Sequence, residues 1–338
     1  MKSTDDYGSN VGREGVSRRV FLAGGAAMLA AASAGCNLMG GRNLKSMKVS
    51  DDALYSLALH PNGKQVLAAG DGRTLQLWDI EKAVLTKDFK PGSDTISTIE
   101  FSKGGKHVLS GSWSNNVELW DVEKGEVIKA LSGHQDDVWK VAFLEGEKTA
   151  LSASDDDTMK LWDLESGSVV KTYEGHADGV RSFALHSDGK TLLSGSQDRM
   201  IKRWDRESGQ VTATWWGHAG TVNDIIISSD GKTAVSAGAD KTVRFWDIEA
   251  NSGTVTLDKH KSEFNALTLS KDGRLLLSGS EDGLIIAWDV KNEKILAKLS
   301  GHRAGVTSLT LFDGDKRLLS CSKDGTLKLW KTDKLFKV

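Results

Sequence analysis

Val180-Arg181-Ser182-Phe183-Ala184-Leu185-His186-Ser187-Asp188-Gly189-Lys190-Thr191-Leu192-Leu193-Ser194-Gly195-Ser196 is the stretch that decides the fold. Residues 180–185 alternate in character as a half-buried strand does, residues 187–190 are turn-forming types, and residues 191–196 resume as a second strand. Residues 200–204 make a third strand ending on Trp204, and residues 211–215 a fourth that leads into Gly217-His218. Four strands of about 5–6 residues leave roughly 4–5 residues for each connection, so every loop is short and no helix of useful length fits.

The same unit recurs along the chain. Trp78, Trp120, Trp162, Trp204, Trp246, Trp288 and Trp330 are spaced by 42 residues without exception. Six are followed by Asp (Asp79, Asp121, Asp163, Asp205, Asp247 and Asp289), and the seventh by Lys331. A period of this length is the signature of a repeat architecture in which each unit buries its face against its neighbours.

Gly-His, a Ser-Asp-Gly-Lys turn, Ser-Gly-Ser-x-Asp and a closing Trp-Asp resemble the WD-repeat signature, and the resemblance covers about residues 44–338. It implies an all-β fold: a seven-bladed β-propeller of four-stranded antiparallel blades, with the ring closed by the N-terminal strand. It also implies roles for the polar residues. The family pattern has Asp six, Ser ten and His twenty-eight residues before the Trp. Five units satisfy it: His134, Ser152, Asp156, Trp162; His176, Ser194, Asp198, Trp204; His218, Ser236, Asp240, Trp246; His260, Ser278, Asp282, Trp288; and His302, Ser320, Asp324, Trp330. In the family these form a hydrogen-bonded chain from indole through hydroxyl and imidazole to carboxylate, and such a buried network is tolerated when every member is satisfied.

The same trio could be taken for a Ser-His-Asp catalytic triad, but an enzyme needs one site, and here it recurs five times with its Trp. His60, His107 and His186 stand near turns with no metal-ligand spacing and read as surface positions. Unit one has Ser50, Ala68 and Gly72 in place of His, Ser and Asp; unit two keeps Ser110 but has Gly92 and Ser114. These units should be the looser part of the ring.

Residues 45–338 make seven whole periods of 42. In register, residues 43–49 match the outer strands of other units, such as residues 127–131, so the N-terminal strand is expected beside residues 327–330, with the tail 334–338 competing for the same edge. A blade left open would expose an unpaired strand.

Composition agrees with a folded, turn-rich chain: 39% of the 338 residues are hydrophobic, with 36 Gly and only 2 Pro. Lys and Arg total 44 against 46 Asp and Glu, which gives no basic face for nucleic acid. Two cysteines, Cys36 and Cys321, are too few for a disulfide framework or a cysteine zinc site.

The first 42 residues differ in kind. Residues 20–41 carry no charge and are mostly Ala and Gly, too weakly apolar for a good spanning helix. Ser17-Arg18-Arg19-Val20-Phe21-Leu22 before that run resembles the twin-arginine export motif, with Ala23 where Lys is frequent; an ordinary secretory signal is the alternative. Ser33-Ala34-Gly35-Cys36 looks like a lipobox with Ser33 at the usual Leu position, so Cys36 would be acylated; Ala32-Ser33-Ala34 equally fits a signal-peptidase site that leaves Cys36 free. The expected organisation is a signal peptide over 1–35, a tether over 36–42 and the propeller over 43–338, exported across the bacterial inner membrane to the periplasmic side, as a lipoprotein anchored in the inner or the outer membrane or as a soluble periplasmic protein. The tether spans at most about 25 Å, which would turn the histidine-bearing loop face away from the membrane.

The uniformly short loops favour a monomeric protein-interaction scaffold, with no catalytic residue, metal or cofactor expected, over a propeller-type hydrolase or quinone-dependent enzyme with a channel site; a component of an envelope assembly machine is a further possibility by analogy. In the family, the residues five after the His position and one before the tetrad Asp line the loop face near the channel. The first set reads Tyr55, Ser97, Trp139, Arg181, Asn223, Asn265 and Thr307; the second reads Asp71, Trp113, Asp155, Gln197, Ala239, Glu281 and Lys323. Tyr55, Trp113, Trp139 and Arg181 gather in units one to four and are the types that dominate binding hot spots, so with Asp155 and Glu281 they are the candidate partner site. Trp113 has a second reading, as filler for the missing His and Asp of unit two. Trp215 and Trp216, placed on the outer strand of unit five, look like edge packing.

Overall fold

The computed structural model describes residues 43–89, 95–258, 260–333 and 335. The expected export pair Arg18 and Arg19, the lipidation candidate Cys36 and the tether to residue 42 lie outside the described residues.

Seven four-stranded antiparallel sheets follow one another along the chain as the blades of a β-propeller. Six are simple meanders, from the inner strand at the channel to the outer strand at the rim. The seventh takes three strands, Val306–Phe312, Arg317–Ser322 and Thr326–Lys331, from the end of the chain and its outer strand, Asn43–Lys48, from the beginning. That strand runs antiparallel to Thr326–Lys331, with Lys45 opposite Leu329 and Met47 opposite Leu327. The N-terminal strand holds that edge; the expected competitor, residues 334–338, lies outside the described residues apart from residue 335.

The borrowed strand explains the one departure from Trp-Asp. In the other blades that Asp caps the turn between third and outer strand: Asp163 Oδ1 accepts the Ser166 N–H at 2.7 Å, and Asp205 the Ser208 N–H at 2.7 Å. Blade seven has no such turn, because its outer strand arrives from the other end of the chain, and Lys331 stands there instead.

The core is divided by the ring. Each pair of neighbouring blades encloses one apolar cluster between its sheets. Leu109, Val117 and Leu131 of blade two pack on Val141, Ala150 and Trp162 of blade three. At the closure, Met47, Leu327, Leu329 and Cys321 of blade seven pack on Leu54, Leu57 and Val66 of blade one. Met47 is only 2% exposed, so the closing strand is held by side-chain burial as well as by its hydrogen bonds. Among the described residues the only helical turn is a 3-10 turn, Glu145–Glu147, where unit three departs from Ser-Asp-Gly-Lys.

One irregularity is repeated seven times. The register between inner and second strand slips between Leu54 and Ser56, Ile96 and Thr98, Val138 and Lys140, Val180 and Ser182, Val222 and Asp224, Phe264 and Ala266, and Val306 and Ser308. The residue inside each bulge is Tyr55, Ser97, Trp139, Arg181, Asn223, Asn265 or Thr307. A bulge takes one residue out of the pairing and re-aims its side chain.

Candidate functional site

Four of the tetrads are continuous chains. In blade four Trp204 Nε1 donates to Ser194 Oγ at 2.8 Å, Ser194 Oγ lies 2.7 Å from His176 Nε2, and His176 Nδ1 lies 2.7 Å from Asp198. An indole N–H only donates, so the serine oxygen accepts from it and links the ring to the imidazole, whose Nδ1 faces the carboxylate. Blade three repeats this through Trp162, Ser152, His134 and Asp156; blade five through Trp246, Ser236, His218 and Asp240; blade seven through Trp330, Ser320, His302 and Asp324. Burial pushes the Asp198 carboxyl up, but the His176 imidazole and the Met200 and Ala177 N–H groups outweigh it and hold it at about 2. The serines are fully buried, so their hydroxyls meet no substrate, and these tetrads act as struts between strands.

Blade six departs from the expected tetrad. Trp288 still donates to Ser278 at 2.8 Å, but His260 Nε2 faces Ser280 Oγ at 3.0 Å and Asp282 at 3.2 Å instead of Ser278. Ser280 Oγ in turn donates to Asp282 Oδ1 at 2.6 Å, whereas its counterpart Ser196 donates to the Asp178 carbonyl. The sequence carries the signal: the four intact tetrads have Gly before His, and position 259 is Lys. A Cβ on Gly133, Gly175, Gly217 or Gly301 would stand 2.9–3.2 Å from the Trp of its own blade, closer than packed side chains tolerate. In the incomplete units, Trp120 keeps Ser110 at 2.9 Å, while Trp78 turns to Gln76 at 3.2 Å.

Two of the three remaining histidines, His60 and His186, are not free surface groups. His60 sets its ring edge-on to Phe101 of the next blade, 4.9 Å between centroids, and His186 Nε2 meets the Gly231 carbonyl at 2.8 Å, again one blade on. Trp215 and Trp216 also part company. Trp215 ends the outer strand of blade four, Val211–Trp215, rather than that of unit five, is buried and stacks on Trp246 at 5.5 Å, whereas Trp216 lies just beyond that strand and is 71% exposed.

At the channel, all seven bulge residues line one cavity of about 470 Å³, joined by Trp113 and Lys323 from the second set. They divide by what their polar groups do. Ser97 donates to the carbonyls of Gly111 and Val138, Asn223 to that of Phe264 at 2.9 Å, and Thr307 to that of Leu54 at 2.9 Å. Those side chains stitch one blade to the next. Asn265 does so more weakly, donating to the Val306 carbonyl at 3.4 Å and, within its own blade, to Glu281 at 2.8 Å; Glu281 also holds Lys323 at 2.8 Å.

Blades one to four are different. Tyr55 and Trp113 lie 4.9 Å apart between centroids, Trp113 and Trp139 5.8 Å, and the Arg181 guanidinium sits 3.8 Å from the Trp139 centroid. The two readings of Trp113 therefore meet: it fills the mouth beside blade two and does so as the middle of an aromatic row. Around the row, Tyr55 O–H donates to Asp71 at 3.0 Å, Gln197 donates to Asp155 at 2.5 Å, and Arg181 Nε lies 3.4 Å from Asp155. Burial, then the bond to Asp71, pushes the Tyr55 hydroxyl up to about 12. Trp113 Nε1, Trp139 Nε1 and Arg181 Nε are buried with no hydrogen-bond partner. A buried donor left unpaired costs about 1–3 kcal/mol, so the stack is not arranged for stability alone.

The family model described as WD domain, G-beta repeat matches the chain seven times, over residues 41–79, 84–121, 125–163, 167–205, 209–247, 252–289 and 293–331. A search of curated proteins returns no match. The seven matches cover well over half of the chain, and each ends one residue past the Trp of its blade. The chain belongs to the WD-repeat family.

Proposed function

We propose that this propeller is an exported, lipid-anchored scaffold that captures a protein or peptide partner on its loop face, through Tyr55, Trp113, Trp139 and Arg181 with Asp155 and Glu281 at the rim of the site. WD-repeat propellers generally mediate protein–protein interactions, and function on a common fold lives in the surface side chains that differ between members. The observation that carries the reading is the unbroken contact from Tyr55 through Trp113 and Trp139 to Arg181, on four successive blades, at the mouth of the channel. Aromatic rings and an arginine in one partly covered cluster are what binding hot spots are made of. Export is supported by the Arg18-Arg19 pair before the weakly apolar run, and anchoring by Cys36 at the end of that run.

Crosslinking in the bacterial envelope followed by pull-down tests capture: the wild type should retain a partner that Trp139→Ala and Arg181→Ala lose. Normal capture by both variants, with loss on mutating the opposite face, would move the site. Replacing Arg18 and Arg19 by Lys should leave the precursor in the cytoplasm, and Cys36→Ala should release the protein from the membrane; unchanged fractionation in either case removes that part of the reading.

A further inference from the structure

We propose that the channel mouth takes a neutral, proline-rich segment of its partner in the extended polyproline conformation, laid along Tyr55, Trp113 and Trp139. The proposal rests on the reading of the loop face as the partner face and names the chemistry of what binds there.

The unpaired groups state what is missing. Of the buried side-chain nitrogens without a hydrogen-bond partner among the described residues, Trp113 Nε1 and Trp139 Nε1 belong to residues on the wall of this one cavity, beside Arg181, whose Nε faces Asp155 at 3.4 Å. Both indole groups are donors. The neighbouring Ser97, Asn223 and Thr307 already spend their donors on backbone carbonyls. An occupant therefore needs to bring acceptors and has little use for donors of its own. Proline residues are acceptor-only: each keeps its carbonyl and has no N–H.

Charge narrows the choice. Each cation of the cavity has a carboxylate beside it: Lys140 with Asp224 at 3.4 Å, Arg181 with Asp155 at 3.4 Å, and Lys323 with Glu281 at 2.8 Å. Asp71 adds a further carboxylate, held by the hydroxyls of Tyr55 and Thr95. A carboxylate or phosphate would enter against that surplus. An ammonium would bring donors to a site already in excess of them. A neutral chain of carbonyls meets neither obstacle.

Size and surface agree. The row of three rings, with centroids 4.9 and 5.8 Å apart, is about as long as one turn of polyproline helix, three residues or about 9 Å. Aromatic-lined grooves hold such helices because the chain is already ordered and loses little entropy on docking. In the stack the indole N–H groups are covered, with the rings tilted by 44° and 53° to one another. Docking parts the rings, and the pyrrolidine faces of the ligand take over the contacts they gave up.

Fluorescence polarisation with labelled decaproline and the full chain tests this, with decaglutamate and maltohexaose as competitors. Decaproline should bind saturably, and neither competitor should displace it. Trp139→Phe and Trp113→Phe, which keep a ring and delete the N–H, should each weaken binding at least fivefold, while Trp216→Phe leaves it unchanged. Two variants guard against one of them failing to fold, which circular dichroism would reveal. No binding of decaproline, binding by both N–H deletions equal to that of the wild type, or a Trp139-dependent preference for decaglutamate or maltohexaose overturns the proposal. If envelope capture still depends on Trp139 and Arg181 while decaproline fails, the loop-face reading stands and only the ligand class falls. Loss of both dependences removes both.

Discussion

Arg181 of blade four lays its guanidinium 3.8 Å from the centre of the Trp139 ring of blade three. The contact crosses a blade boundary and joins two bulge residues, so it depends on both inner strands slipping register at the same height. A planar guanidinium on an indole face is a cation–π contact worth about 0.5–1 kcal/mol where exposed and up to about 2 where desolvated. Here the gain is offset by burial, which pulls the guanidinium below its ordinary range against the pull of Asp155.

Removing Arg181 should therefore change binding far more than stability. Arg181→Ala is expected to lower partner capture at least tenfold and to shift the thermal midpoint by no more than about 2 °C, the equivalent of roughly 1 kcal/mol in a chain of this size. Pull-down yield beside a melting curve checks both. A large fall in midpoint with unchanged capture would make Arg181 a strut.

The tetrads should contribute unevenly. Asp198→Ala leaves the buried His176 imidazole without its acceptor and should cost about 1–3 kcal/mol at neutral pH. Asp282→Ala should cost less, because that carboxylate is 38% exposed and its His260 is displaced. Ser114→Ala, in the incomplete blade two, should stay within about 0.5 kcal/mol. The Asp198 contribution belongs to the ionised carboxylate. It is fully present above the unfolded value near about 4 and is lost as pH falls through its folded value of about 2. Denaturant midpoints at pH 7 and pH 3 test the order and the direction.

Lys259→Gly should stabilise the ring. It gives blade six the residue that precedes His in the four intact tetrads and lets the histidine approach Ser278. One restored buried hydrogen bond suggests a gain of about 1 kcal/mol. The unfolding midpoint and the imidazole proton shifts of His260 report it. An unchanged midpoint would mean that glycine is not what separates blade six from the rest.

Glu100 should make the wall between blades two and three sensitive to pH. Its carboxylate accepts the Phe143 N–H at 2.7 Å, yet burial pushes it up to about 7 against the pull of that bond and of Lys140. A raised carboxyl costs stability as pH climbs from about 4.5 to 7, where the unfolded chain ionises and the folded one resists. Glu100→Gln keeps the acceptor and removes the charge. It should stabilise by on the order of 1–2 kcal/mol at pH 8 and by almost nothing at pH 4. Equal effects at both values would contradict the assignment.

The fold was legible because its chemistry is written seven times over. Trp78 to Trp330 at a constant period set the blade count, and the match of residues 43–49 to the outer-strand register pointed to the closure. What repeats can be read by comparing units; what occurs once cannot. Lys259 stands in a single unit, and only the close approach of glycine to tryptophan elsewhere gives it meaning. The candidate site lies where the units differ most. Tyr55, Trp139 and Arg181 could be picked out by residue type and register, but the sequence says nothing of the bulge that turns them into the channel. Nor could it separate Trp139, with an idle N–H, from Ser97 and Asn223, whose donors tie blades together. Trp215 and Trp216 are neighbours in sequence, but the strand ends at the buried Trp215 and leaves Trp216 exposed beyond it.

Strand Asn43–Lys48 is among the first parts of the propeller to leave the ribosome, and its partner Thr326–Lys331 is among the last. Ser46 waits for Lys328, 282 residues later. At about 5–20 residues per second that interval is roughly 15–55 s. Throughout it Met47 has no pocket, and the slot it will fill does not yet exist. A closed circle is therefore a certificate of a finished last blade: a chain stopped before Thr326–Lys331 cannot form it. A partner that grips several blades at once would hold only a finished molecule firmly.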